Sequence, residues 1–131
     1  FAYDGERGSL RWTDTRTSLP PGFYGENSGA DVHVAPSGRF VYGSNRGHDS
    51  IVTFAFDESS GCLDPVGWRP TEGRTPRGFT IDPSGTLLLA ANQNSDSIVG
   101  FWIDPDSGKL TPTGRVAASP TPTCVHLVEM A

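Results

Sequence analysis

The sequence repeats itself. Pro36-Ser37-Gly38 returns as Pro83-Ser84-Gly85, 47 residues later. The same offset relates Asn45 to Asn92, Asp49 to Asp96, and Ser50-Ile51-Val52 to Ser97-Ile98-Val99. It continues without a gap through Phe54 and Phe101, Asp57 and Asp104, Gly61 and Gly108, and Leu63 and Leu110. A period of this size means one supersecondary unit used several times, each unit burying its apolar face against the next. A partial earlier copy opens the chain. Phe1-Ala2-Tyr3-Asp4 matches Phe54-Ala55-Phe56-Asp57, and Gly8-Ser9-Leu10 matches Gly61-Cys62-Leu63, at an offset of 53. The extra residues of that longer offset fall in 20–29. At the other end, Cys124 to Val128 matches the opening of one more unit.

Each unit reads as four strands, a to d. The first set spans about 30–35, 39–45, 50–57 and 62–69, and the second about 77–82, 86–92, 97–104 and 109–116. Short runs such as Phe40-Val41-Tyr42 and Leu87-Leu88-Leu89-Ala90 suit buried strands. With 16 glycines and 11 prolines among 131 residues, turns have ample punctuation. Pro-Ser-Gly supplies the a–b turn, and Asp104-Pro105-Asp106-Ser107-Gly108 a longer c–d turn. No segment carries a 3.6-residue period, so essentially no helix is expected. Four antiparallel strands repeated in this way describe the blade of a β-propeller. A β-sandwich has similar strands but does not need the same unit twice. The expected division is the outer strands of one blade and a connection over 1–29, a blade over 30–70, a blade over 71–117, and the start of another over 118–131. A closed ring needs at least four blades, so the chain reads as part of a larger propeller.

Charge and composition exclude several functions. The formal net charge of −5 argues against general nucleic-acid binding, which draws on excess Lys and Arg. No apolar run approaches the ~20 residues of a membrane span, and no signal-peptide pattern opens the chain. Cys62 and Cys124 are too few for a disulfide scaffold. They fall on opposite faces of the expected sheets and fit a reducing, cytoplasmic setting. Three histidines and scattered carboxylates lack zinc-like spacing, and the Asp-rich turns lack that of a calcium hand loop. No metal or cofactor is expected. Trp12, Trp68 and Trp102, in or beside outer strands, are expected to pack between blades.

Two segments carry a family resemblance. Gly29-Ala30-Asp31-Val32-His33-Val34-Ala35-Pro36-Ser37-Gly38-Arg39-Phe40-Val41-Tyr42, followed by Ser44-Asn45-Arg46-Gly47-His48-Asp49-Ser50-Ile51, resembles a blade of the 6-phosphogluconolactonase family. Pro70-Thr71-Glu72, Pro76-Arg77-Gly78-Phe79 and Asp82-Pro83-Ser84-Gly85 resemble the next. The resemblance runs from about Phe1 to Val128. It implies a seven-bladed ring, of which this chain would be about the C-terminal three-sevenths. It also implies hydrolysis of a sugar-acid lactone, 6-phosphogluconolactone first. A related branch, the carboxymuconate lactonising enzymes, offers a second activity on the same fold, and a non-catalytic binding scaffold is a third reading.

Strand alternation places the b–c and d–a connections on one end of the blades and the a–b and c–d turns on the other. Residues repeated in register, such as Asn45/Asn92, Asp49/Asp96 and Ser50/Ser97, read as architecture that bonds local turn backbone. Polar residues without a repeat partner are the functional candidates. Arg46 stands opposite Gln93, His48 opposite Ser95, and His33 opposite Thr80. Glu72, Arg74 and Arg77 stand opposite Ser119, Thr121 and Cys124. A phosphorylated lactone needs cationic donors for its phosphate, a base for water, and a donor for the developing oxyanion. Arg46, Arg74 and Arg77 can bind the anion, and His33, His48 or Glu72 can be the base. On this reading His33, Glu72 and Arg77 are the candidate catalytic residues, and Arg46, His48 and Arg74 the candidate substrate-binding residues. Phe23 and Tyr24 either border the pocket or cover a blade edge. No Gly-x-Ser-x-Gly elbow is present, so direct attack by water is preferred to an acyl-enzyme. The expected partners are a small anionic lactone and either the remaining blades or a second copy of the chain. This length alone is expected to be inactive and prone to self-association.

Overall fold

The computed structural model describes residues 1–128. Ten strands form two four-stranded antiparallel sheets and one hairpin. The hairpin pairs β1 (Ala2–Asp4) with β2 (Ser9–Arg11). The first full blade runs in order through β3 (Ser28–Val34), β4 (Phe40–Arg46), β5 (Ser50–Asp57) and β6 (Cys62–Pro70). The second runs through β7 (Pro76–Ile81), β8 (Leu87–Asn92), β9 (Ser97–Ile103) and β10 (Leu110–Ala118). Strand for strand this is the repeat anticipated from the sequence. A single 3-10 turn, Gln93–Ser95, interrupts the second b–c connection.

Segment 124–128 forms no strand, contrary to the expectation that it opens another unit. It does lie where such a strand would start, because a Cβ on Gly78 of β7 would come within 2.6 Å of the Thr123 carbonyl oxygen. A ladder needs a partner strand for its N–H and C=O groups, and none flanks this segment among the described residues. Residues 129–131 of the expected last unit lie outside those described.

Both kinds of turn repeat in three dimensions. Gly38 and Gly85 each take φ +73° and donate back to Ala35 O and Asp82 O at 2.8 and 2.9 Å. In the first c–d turn, Asp57 accepts from the hydroxyls of Ser59 and Ser60, both at 2.7 Å. Those hydroxyls, Ser59 before Ser60, lower its pKa to about 2 from 3.8. A depressed carboxylate favours the fold above its unfolded pKa, and that contribution fades as the pH falls through the folded value. Asp57→Asn is therefore expected to flatten the stability curve between about pH 4 and pH 2, read by denaturant midpoints in that window.

The core is a layer between the two blades. Phe40, Tyr42 and Ile51 of the first sheet meet Phe79, Leu88, Val99, Phe101 and Leu110 of the second. The second blade's c–d turn clamps this layer shut. Tyr42 Oη donates to Gly108 O at 2.8 Å, and Arg39 donates to Pro105 O and Asp106 O at 3.3 Å. The outward faces stay open. Val32 and Val34 are exposed on one, and Trp102 (54% exposed) and Val116 on the other. Trp68 alone of the tryptophans is well engaged between elements, its indole N–H donating to Ser18 O at 2.8 Å. Trp12, also expected between blades, is 60% exposed.

Candidate active site

The b–c and d–a connections meet at one end of the blades, as strand alternation requires. Gln93 N–H donates to Thr75 O at 3.0 Å, and Asn94 N–H to Arg74 O at 3.1 Å. Gly47, at φ +120°, approaches the first connection so closely that a Cβ would lie 2.2 Å from Glu26 O. The register-paired residues build this end, and they do so both locally, as where Gly47 N–H donates to Asp49 Oδ1 at 3.2 Å, and across to the neighbouring connections. The buried Asn45 amide donates to Ser18 O at 2.7 Å, and its counterpart Asn92 donates to Thr71 O at 3.1 Å. Asp49 accepts from Thr75 N at 2.9 Å, and Asp96 from Thr121 N at 2.8 Å. Both aspartates are left-handed, at φ +53° and +50°.

The candidates separate on this frame. His33 lies on the inner strand β3, half-buried, with its ring edge against Phe79 of β7 at 4.6 Å between centroids. Its Nε2 is 3.2 Å from Asp31 Oδ2. Arg46, at the end of β4, donates through Nη2 to Gly29 O at 2.9 Å, while its buried Nε has no partner among the described residues. Arg77 is exposed on β7, two residues before Phe79, and reaches Gln93 Oε1 at 3.4 Å. Strand β3 pairs with β4 and packs against β7, so these three side chains come from adjoining strands.

The other candidates are turned to different work. Glu72, exposed and at φ +57°, accepts from Arg69 Nη2 at 2.9 Å, which directs its carboxylate toward the outer strand β6. His48 is held in its loop: Nδ1 meets Ser50 Oγ at 2.7 Å, the backbone N–H donates to Asn27 Oδ1, and the ring edge packs on Phe23. Arg74 donates to Asn94 O at 3.1 Å and fastens the d–a to the b–c connection. Phe23 thus covers a loop histidine, and Tyr24 projects into solvent. An open cleft of about 610 Å³ lies at this end, lined by Glu26, Asn27, Ser28, Arg46, Gly47 and Thr75. It includes Arg46 but neither His33 nor Arg77.

Asp31 joins the candidates only in three dimensions. At a bulge between Gly29 and Val32 of β3, the Asp31 carboxylate accepts one N–H from its own strand and one from β7 of the next blade. Oδ1 accepts from Val32 N at 3.0 Å, and Oδ2 accepts from Phe79 N on the next blade at 3.2 Å. The usable signal was the repeat itself, since the register partner of Asp31 is Gly78. Cys62 and Cys124 are both free thiols. Among the described residues no three or more His, Cys, Asp or Glu side chains gather as a metal site would need, and no helix is long and apolar enough to cross a membrane.

Two four-stranded blades stacked face to face, with His33 and Arg77 on their inner strands, define a β-propeller architecture. Residues 1–127 match the family described as "Lactonase, 7-bladed beta-propeller", and the chain belongs to that family. A 6-phosphogluconolactonase from Bacillus subtilis is 40% identical over 80 residues, which is 61% of this chain and 23% of that protein. A periplasmic gluconolactonase from Pseudomonas aeruginosa superposes with a TM-score of 0.83 at 40% identity, over 88% of this chain and 32% of that one. A protein from Lactobacillus plantarum superposes with a TM-score of 0.92 at 30% identity, over 97% of this chain and 37% of that one. The chain thus spans about a quarter of the curated relatives it matches.

Proposed function

We propose that this segment supplies catalytic and anion-binding residues to a lactone hydrolase whose leading substrate is 6-phosphogluconolactone. The observation that carries the reading is the position of His33. Of the three candidate bases, it alone stands on an inner strand with an acidic partner, whereas His48 is consumed by its loop and Glu72 by Arg69. His33 takes a proton from water as the water oxygen attacks the lactone carbonyl carbon. The carbonyl oxygen becomes an oxyanion, the ring C–O bond then breaks, and the released hydroxyl regains the proton. Arg46 and Arg77 provide fixed positive charge for the phosphate and the oxyanion. The names of the Bacillus and Pseudomonas relatives support a lactone substrate, and the arginines favour a phosphorylated one. Free Cys62 and Cys124 suit a cytoplasmic, reducing setting. The open faces bearing Val32 and Trp102 are covered by further blades of the ring.

Phosphate recognition is tested by comparing 6-phosphogluconolactone with the unphosphorylated lactone in the complete ring. Losing a charged hydrogen bond to an anion costs on the order of tenfold or more in binding. Arg77→Ala is therefore expected to raise KM for the phosphorylated substrate by about that factor and leave the other nearly unchanged. Equal effects on both substrates would remove Arg77 from phosphate binding.

A further inference from the structure

We infer that Asp31 is the positioning residue that fixes the proton of His33 on Nε2 and so leaves Nδ1 as the basic nitrogen. This deepens the lactonase reading above and rests on it for its catalytic meaning. An ionised carboxylate only accepts hydrogen bonds, so the 3.2 Å contact between His33 Nε2 and Asp31 Oδ2 selects the Nε2–H tautomer. Nδ1 has no hydrogen-bond partner among the described residues, and the ring is 38% exposed, so this nitrogen is open to water.

The carboxylate is itself immobilised. Oδ1 is held by Val32 N–H and Oδ2 by Phe79 N–H, while the Asp31 backbone N–H donates to the buried Ser44 hydroxyl at 3.0 Å. Phe79 also supplies the ring against which His33 rests. One side chain therefore ties the histidine's orientation to the docking of the next blade. The cross-strand neighbour of His33 is Tyr42, whose hydroxyl is committed to Gly108 O and brings no charge to the ring. Asp31 is thus the charged group in contact with His33. An Asp that holds a histidine's tautomer and steadies the imidazolium formed during proton transfer is a known arrangement for a general base.

The structure also explains why the second blade has no counterpart. At the register position of Asp31 stands Gly78, where any Cβ would strike the Thr123 carbonyl. The acidic side chain fits only at the first blade, beside the one inner-strand histidine among the six candidates.

The test is nitrogen NMR of the complete ring labelled with 15N in its histidine imidazoles, the His33 signals being assigned by their loss in His33→Gln. Wild type is expected to show neutral His33 with Nε2 protonated and Nδ1 bare. Asp31→Asn keeps the size of the side chain and one acceptor oxygen, which can serve Val32 N–H or Phe79 N–H but not both, so a near-wild-type near-ultraviolet circular dichroism spectrum is required of it first. It removes the charge assistance, and the Nε2–H to Nδ1–H tautomer ratio should fall by on the order of tenfold. Asp31→Ala should shift the ratio at least as far where it remains folded. A wild-type ring protonated on Nδ1, or an unchanged ratio in Asp31→Asn, overturns the assignment. The readout does not depend on turnover. A shifted tautomer in a ring that hydrolyses no lactone leaves Asp31 as the positioning group and removes the lactonase reading. An active ring with an unmoved tautomer removes Asp31 alone.

Discussion

Tyr42→Ala is expected to lower stability by about 3–5 kcal/mol, the range for deleting a large buried aromatic. Tyr42 is fully buried at the centre of the inter-blade layer. Its removal opens a cavity between Phe79, Leu88 and Phe101 and leaves the Gly108 carbonyl without its donor. Single domains hold only about 5–15 kcal/mol in total, so the loss is a large share. Tyr42→Phe separates the two causes. It keeps the packing and loses only the hydroxyl bond, which should cost about 1–2 kcal/mol. Denaturant midpoints of the three proteins measure both effects, and equal losses in the two variants would assign the whole effect to the hydrogen bond.

The same residue gives an alkaline signature. Burial, and secondarily the negative charge of Asp104, push the Tyr42 phenol from 10.0 to about 12. The folded state then holds the proton more tightly than the unfolded chain. Stability is complete below pH 10 and is lost as the pH rises from 10 toward 12. Tyr42→Phe should remove that part of the alkaline loss.

The fold was legible because it is written twice. The Pro-Ser-Gly turns at 36–38 and 83–85 and the shared c–d glycines located the strands almost to the residue. What the repeat concealed was reach. Asn45 and Asn92 look alike in sequence, and local bonding was the natural reading of both. In three dimensions each crosses to the preceding strand's connection, a distance that chain spacing does not encode. Segment 124–128 matched the repeat pattern yet made no strand, because pattern alone cannot provide a ladder partner.

The site was legible only in part. Comparing register partners directs attention to the end of the blades where residues differ. It could not tell Glu72, drawn aside by Arg69, from a carboxylate aimed at the inner strands. Nor could it see that His48 is held by Ser50 and Phe23. Asp31 escaped notice because a bulge, and not strand alternation, sets what its carboxylate meets.

The second large effect concerns chemistry. His33→Gln preserves a polar side chain of similar reach but cannot accept a proton from water. General-base catalysis contributes about 10²–10⁴-fold, so kcat in the complete ring should fall by that factor with KM little changed. The Asp31 bonds to the Val32 and Phe79 N–H groups do not involve the imidazole and survive the change, and near-ultraviolet circular dichroism should confirm an intact fold. A loss of less than about threefold, far under the general-base range, would move the base elsewhere.

The most direct test is the hydrolysis of freshly generated 6-phosphogluconolactone by the complete ring, followed through a coupled dehydrogenase with spontaneous opening subtracted. A rate well above that background is expected, abolished or nearly so in His33→Gln. A complete, folded ring that adds nothing to the spontaneous rate with this lactone or its unphosphorylated form would contradict the lactonase reading.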